Sequence, residues 1–345
     1  MDTINIQTTT NKYLAPDWVD LVLNDNFFFG YILENTKKWD GSKMEFPIKY
    51  QKGVASVAFS GFDQLPTTQQ PVSVNMTFFP SFVATNVALA GSDLSVNNTK
   101  LQTIKLAKVM MASRAQDGAD DIGTFLQGDG TSFGGKAPMG LSGIVDNGTV
   151  LSTYGGLSRA TYAGLNATVT ASSGTISLLK IRQLANSVTS GKVQPTFAIT
   201  TYAVWSFCEQ LFQTFQRNTY SDFSNMNAGA GYNTPTRKSL GLVWDGLTIF
   251  RDDKIATGLF YLLNLDYLNW FGLNWYRGTP VSLKTELIKG NIYEYAPSNA
   301  TKAFTWTDWV HAYNQGAING FMILGGQLIC TAPKRNGVLT GITGI

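Results

Sequence analysis

Charge is what this sequence has least of. Only 14% of its 345 residues are charged, against roughly a quarter in an ordinary soluble domain. It has one histidine, His311, and two cysteines, Cys208 and Cys330. A single histidine leaves the usual zinc, Ser-His and Cys-His sites short of ligands or of a base. Two cysteines make no disulfide framework, so a reduced setting is the default reading. No run of 18 apolar residues occurs, which leaves no helical membrane span. The opening segment, Met1 to Thr10, is polar and carries no signal-peptide pattern. Lys and Arg do not gather beyond pairs such as Lys334-Arg335, and 26 basic residues against 23 acidic ones give a net charge of only +3. Binding nucleic acid tightly needs basic residues on one face. Any such contact is therefore expected to be weak and nonspecific.

What the chain has instead is aromatic surface: 8 Trp, 14 Tyr and 21 Phe, together 12%. Aromatics are enriched, and Lys, Glu and Asp depleted, in the cores of protein–protein interfaces. Few charges and many aromatics point to burial between chains. The length suits two linked domains.

Residues 1–16 are polar and aperiodic and read as an arm. Pro16 suits the first turn of a helix. Trp18, Leu21, Val22 and the run Phe27-Phe28-Phe29 make that helix amphipathic, and such an arm is expected to lie on something else. Residues 43–50 and 54–59 alternate as strands, through Met44, Phe46, Ile48, Tyr50, Val57 and Phe59. A turn-rich tip at 61–71 follows, uncharged apart from Asp63, and strand character returns over 72–89. The whole reads as a two-stranded excursion of some 45 residues. Isolated ribbons are marginal in water, so it is expected to lie across a neighbouring copy.

From Asn97 to Gln127, Leu101, Ile104, Met111, Ala115, Ile122 and Phe125 or Leu126 recur at helical spacing. Such a helix would span about 46 Å, longer than a small domain is wide. Gly118 and Gly123 weaken its last third. Residues 128–175 read as loops and short strands. Helices are expected at 175–189, capped by Thr175, and at 202–215, with Val204, Trp205, Cys208, Leu211, Phe212 and Phe215 on the buried stripe. Residues 218–238 read as a polar loop. Strands are expected at 196–200, 247–251, 259–264, 281–288, 303–311 and 320–331. The class is α+β.

Catalytic candidates fail one by one. Gly130 to Ala137 nearly matches the phosphate-binding loop, but a helix precedes it, Pro138 follows, and Ala137 replaces the hydroxyl that would hold Mg²⁺. His311 reads as a partly buried strand histidine. The pairs Asp120-Asp121 and Asp252-Asp253 read as solvated structural carboxylates, since adjacent residues on a helix point apart. Cys208 sits on an apolar helix stripe and reads as core. No catalytic, cofactor-binding or metal-binding residues are assigned, and no enzyme activity is expected.

Several segments in order carry a resemblance. The long helix leads into Leu126-Gln-Gly-Asp-Gly-Thr131. Gly135-Lys-Ala-Pro-Met-Gly-Leu141, Ile144-Val-Asp-Asn-Gly-Thr149 and Tyr154-Gly-Gly-Leu-Ser-Arg-Ala-Thr161 come next. Pro195-Thr-Phe-Ala-Ile-Thr-Thr-Tyr-Ala-Val-Trp205 and Leu328-Ile-Cys-Thr-Ala-Pro333 complete the series. In this order the chain resembles, over nearly its whole length, the major capsid proteins of tailed bacteriophages, with the HK97 fold.

The resemblance implies an N-terminal arm at 1–42, an extended loop at 43–90 and a peripheral domain at 91–175 with its spine helix at 95–127. It implies an axial domain at 176–280, and strands at 281–345 that return to both domains. It also implies self-assembly as hexamers and pentamers into an icosahedral shell around double-stranded DNA, with portal, scaffold or decoration proteins as further partners and no membrane. The location implied is the virion capsid, assembled in the host cytoplasm. An encapsulin-type compartment shell shares the fold and is the alternative. Relatives often begin with a cleavable scaffolding segment. Here the arm starts almost at Met1, which suggests a separate scaffold protein or none. Some relatives carry a Lys–Asn cross-link, for which Lys52 and Asn336 are the residues in view, unpaired by sequence alone.

Overall fold

The computed structural model describes residues 27–34, 36–96, 100–171, 173–213, 241–273, 279–281, 304–311 and 316–344. The expected arm at 1–16 and the helix start at Pro16 lie outside these residues, as do the polar loop at 218–238 and the strand over 282–288.

In chain order, helix α1 (Phe27–Glu34) and strand β1 (Lys37–Lys38) precede β2 (Met44–Lys49) and β3 (Ser73–Phe78). Strand β4 (Ser81–Ala90) and helix α2 (Gly91–Val96) lead to the long helix α3 (Lys100–Gln127). Single turns α4 (Ser132–Gly135) and α5 (Leu141–Ile144) follow, then β5 (Thr153–Tyr154), β6 (Leu157–Ser158), β7 (Thr168–Thr170) and β8 (Gly174–Thr175). Next come α6 (Leu178–Val188), β9 (Phe197–Thr200) and α7 (Tyr202–Gln213). Strands β10 (Gly241–Trp244), β11 (Leu247–Arg251), β12 (Phe260–Leu263), β13 (Leu268–Leu273), β14 (Thr279–Val281) and β15 (Phe304–His311) continue the chain. The long strand β16 (Ala317–Cys330), β17 (Gly337–Leu339) and β18 (Ile342–Gly344) complete it.

Two sheets organise the molecule. In the first, β16 is the central strand. One of its edges pairs with β4 from Ala317↔Ala90 to Gly326↔Ser81. The other edge is shared, with β15 on its first half and β13 on its second. Residues Met322 to Cys330 are buried without a break, so β16 reads as a continuous apolar run rather than an alternating one. The second sheet has the order β10-β11-β9-β12-β17-β7. Its strands face two cores. Phe197, Ile199, Tyr261 and Leu263 point to the core shared with α1, α3 and the first sheet. Ala198, Phe260 and Leu262 point to the core under α6 and α7, with Ile181, Leu184, Trp205 and Cys208. The period-two alternation of a strand produces this division.

Several expectations are corrected. The end of the arm does not await a partner: Phe28, Phe29, Ile32 and Leu33 of α1 are buried in the chain's own core. Strand β4 belongs to the first sheet rather than to the ribbon, because its alternate residues Val87 and Leu89 are buried there. Residues 54–59 form no strand, since among the described residues nothing pairs with them. The cap of α6 is Ser177, whose Oγ accepts the Lys180 N–H at 3.3 Å, and not Thr175. Helix α3 is present as expected and measures about 42 Å at 1.5 Å per residue. Ala115, Ile122 and Leu126 are buried on its inner stripe.

Candidate functional site

The residues with catalytic chemistry are scattered over the fold. His311 lies exposed at the end of β15 rather than partly buried. Thr305 and Trp306 are buried on the strand's two faces, while its last residues, Val310 and His311, are exposed. Burial pushes the thiols of Cys208 and Cys330 up to about 12, far from the thiolate a nucleophile needs. In the near-match to a phosphate loop, the N–H groups of Gly135 and Ala137 already bond the carbonyls of Thr131 and Ser132. They are not turned toward an anion. Among the described residues, no group of three or more His, Cys, Asp or Glu could hold a metal ion. No helix among them is long and apolar enough to cross a membrane.

The two acidic pairs, distant in sequence, meet through Lys254. Its ammonium forms an ion pair with Asp120 on α3. Asp252 is not solvated, as the sequence suggested, but 2% exposed. It accepts the Phe28 N–H at 3.1 Å, near the start of α1, and the Lys254 N–H at 2.9 Å. Burial pushes its carboxyl up, and these two N–H bonds pull it back only in part. One short loop thus holds α1, α3 and the second sheet together.

A second staple was not legible in the sequence. Arg159 is 1% exposed. Its guanidinium donates to the carbonyls of Gly143, Asp146 and Leu165 at 2.5–2.6 Å, and to Ile144 at 3.4 Å. Its carbon lies 5.1 Å from the centre of the Tyr154 ring. Asp146 accepts the N–H groups of Gly148, Thr149, Val150 and Leu151. Burial alone would raise the Asp146 carboxyl; those donors and Arg159 outweigh it and leave it below the usual range. The signal available in sequence was an arginine inside an otherwise uncharged stretch.

Two crossovers join the sheets side by side. The chain passes from β12 to β13 through Asn264–Tyr267 and returns from β16 to β17 through Thr331–Asn336. Asn336 is fully buried. Its Oδ1 accepts the Asn264 N–H at 2.8 Å, and its Nδ2 donates to the Cys330 Sγ at 3.2 Å. It locks the crossovers, and its amide is held by bonds within the subunit.

The ribbon presents an exposed apolar surface. Strands β2 and β3 pair from Met44↔Phe78 to Lys49↔Ser73. Their root is fixed by rings: Phe46 lies 5.5 Å from Phe271, Phe78 lies 5.3 Å from Tyr154, and Tyr50 lies 5.1 Å from Tyr162. From Gln51 to Pro71 every residue is exposed. That stretch carries Val54, Val57, Phe59, Phe62 and Leu65, with Phe59 at 63% and Phe62 fully exposed. Apolar groups placed together in water on a monomer mark an interaction surface.

No protein-family model matches the chain, and no curated protein sequence matches it. Solved structures do match its fold. The cyanophage A-1(L) capsid asymmetric unit superposes with a TM-score of 0.70 at 15% identity, covering 98% of this chain and 99% of that one. The capsid of a native GTA particle gives 0.57 at 8% identity, covering 97% and 96%. The holo-SrpI encapsulin complex of Synechococcus elongatus PCC 7942 gives 0.53 at 10% identity, covering 99% and 95%.

Proposed function

The chain has an HK97-like α+β capsid fold, and from it we propose that this protein is a structural major capsid protein. Many copies assemble, as hexamers and pentamers, into an icosahedral shell that encloses double-stranded DNA. The observation that carries this reading is the end-to-end likeness to a cyanophage capsid chain, at a TM-score of 0.70 over 98% of the residues. The exposed ribbon supports it independently, because that apolar tip is left in water unless a second copy covers it. Heterologous contacts of this kind close into shells when their rotations close. The protein performs no catalysis in this reading, and the buried thiols of Cys208 and Cys330 and the bonded carboxylate of Asp252 fit a structural role.

The arm at 1–42 and the ribbon then serve contacts between copies, although α1 at the arm's end belongs to the subunit's own core. The near balance of 26 basic and 23 acidic residues implies that DNA is packed by a motor elsewhere rather than drawn in by this chain. Portal, scaffold or decoration proteins are the further partners of such a shell. It resides in the virion and assembles in the host cytoplasm.

Negative-stain microscopy of the purified protein, with nuclease treatment and analysis of the contents, tests the reading. Closed particles around DNA are expected. Closed particles holding protein cargo and no nucleic acid would select the compartment-shell alternative, which the encapsulin likeness keeps in view. A protein that stays monomeric at high concentration would end both.

A further inference from the structure

A groove of about 610 Å³ opens beside the turn from β3 to β4. Six consecutive residues, Thr77 to Phe82, line it, together with the loop that carries Lys136 and Met139. Gln327 of β16 lines it as well.

Gln327 is more than nine-tenths buried, at 8% exposure. Its Oε1 accepts the Met139 N–H at 3.2 Å and the Ser81 hydroxyl at 3.1 Å. A backbone N–H can only donate, so the amide oxygen is fixed on that side. The nitrogen is left over. Nε2 donates to no described residue, and it is not sealed from solvent. Native structures leave few buried amide donors without an acceptor. The acceptor for this one comes from whatever fills the groove.

Lys136 is exposed and makes no ion pair among the described residues. It also borders a second groove along α3, but Asp117 is held there by Arg114, and Asp121 feels Lys254 rather than Lys136. Among the described residues, no Asp or Glu lines the groove itself. Asp129, next to Gly130, is turned back on Thr131, whose N–H and hydroxyl it accepts at 2.9 and 2.7 Å. Phe79 is 66% exposed and Phe82 43%. The lining therefore offers one cation, one amide donor and two rings in water, with no carboxylate.

We propose that this groove takes a short acidic and apolar segment of a polypeptide other than this chain, with its carboxylate on the Lys136 ammonium and the Gln327 Nε2 and its apolar side chains on Phe79 and Phe82. A carboxylate presents acceptor oxygens in one plane, and two donors answer them. A nucleic-acid backbone asks for a basic field that one lysine does not supply. A small molecule is mostly enclosed by its site, whereas these rings face water. A lining rich in aromatics and poor in acids is that of a protein interface core. The proposal stands on the groove and not on the shell reading.

Fluorescence anisotropy with a labelled Asp-Leu-Phe peptide, blocked at both ends, tests this on the purified protein, as particles and as dissociated subunits. Saturable binding to particles is expected, weakened roughly tenfold when Asn replaces Asp in the peptide. Lys136→Glu, at an exposed position, is expected to weaken the Asp peptide by at least as much and to prefer a Lys-Leu-Phe peptide. Gln327→Glu keeps the oxygen that Ser81 and Met139 use and sets an acceptor where the donor stood, so the same loss is expected. Equal binding of the Asp and Asn peptides, or equal binding of the Asp peptide to the parent and to Lys136→Glu, overturns the proposal. So does an absence of binding at millimolar peptide. Binding to subunits but not to particles would show that another copy of the chain fills the groove, and overturns it too. Each of these results leaves the shell reading standing. If the parent forms no particles, that reading fails by itself, and the peptide is read on the purified chain.

Discussion

Replacing Arg159 by Met measures how much the buried guanidinium contributes to the subunit. The side chain is 1% exposed and holds four carbonyls of the segment between Gly143 and Leu165. Each hydrogen bond to a charged donor is worth about 1.5–3 kcal/mol net. The four do not add, because one side chain is ordered once and its desolvation opposes the gain. Breaking a buried charged pair from one side costs about 3–5 kcal/mol, and that is the loss expected for Arg159→Met. Met fills the volume of the stem, so the deficit comes from carbonyls left in a dry site and from Asp146 losing its counter-charge. Arg159→Lys keeps a charge but cannot reach in a fork, and about 2 kcal/mol is expected. The assay is urea unfolding of dissociated subunits at pH 7, followed by circular dichroism, with midpoint and slope fitted separately. An Arg159→Met midpoint within about 1 kcal/mol of the parent, at unchanged slope, would show that water or a rearranged backbone replaces the guanidinium, and the reasoning would fail.

Further outcomes are expected of other sites. The Asp146 carboxyl is held below its ordinary value, so its contribution is present above that value and lost as pH falls through the folded one; Asp146→Asn should lose stability at neutral pH and show a flatter acid limb in unfolding. Asp252 is raised, so the sign reverses: its contribution is full below the ordinary carboxyl value and declines as pH rises through the folded value. Asp252→Asn should abolish that decline, and an unchanged pH profile would count against the assignment. At Gly320 an added Cβ would stand 2.2 Å from the Trp306 ring, so Gly320→Ala should cost about 1–3 kcal/mol and change tryptophan emission; an unaltered spectrum and melting temperature would contradict this. Both native thiols should resist a disulfide reagent at pH 8 and react fully in denaturant, since burial holds them near 12.

The amino-acid pattern by itself determined the elements whose neighbours are local. Helix α3, strands β2, β9 and β11, and helix α7 all lie where periodicity placed them, because 3.6- and two-residue repeats are written in consecutive residues. The order of those elements was enough to point to a capsid-type fold. The tertiary structure decided what depends on residues far apart in the chain. The alternation at 54–59 is genuine, yet a strand needs an edge to pair with, and among the described residues none pairs with it. Asp252 looked like a surface carboxylate and is buried, because the N-terminal end of α1, 224 residues away, arrives with an N–H to donate. The sequence showed Arg159 only as a lone arginine in an uncharged stretch, and Asn336 not at all, since most of their partners are backbone groups that every sequence possesses. Composition announced that this chain buries aromatic surface against something. Only the fold separated the surface it covers itself, on α1 and β4, from the ribbon tip that it leaves open.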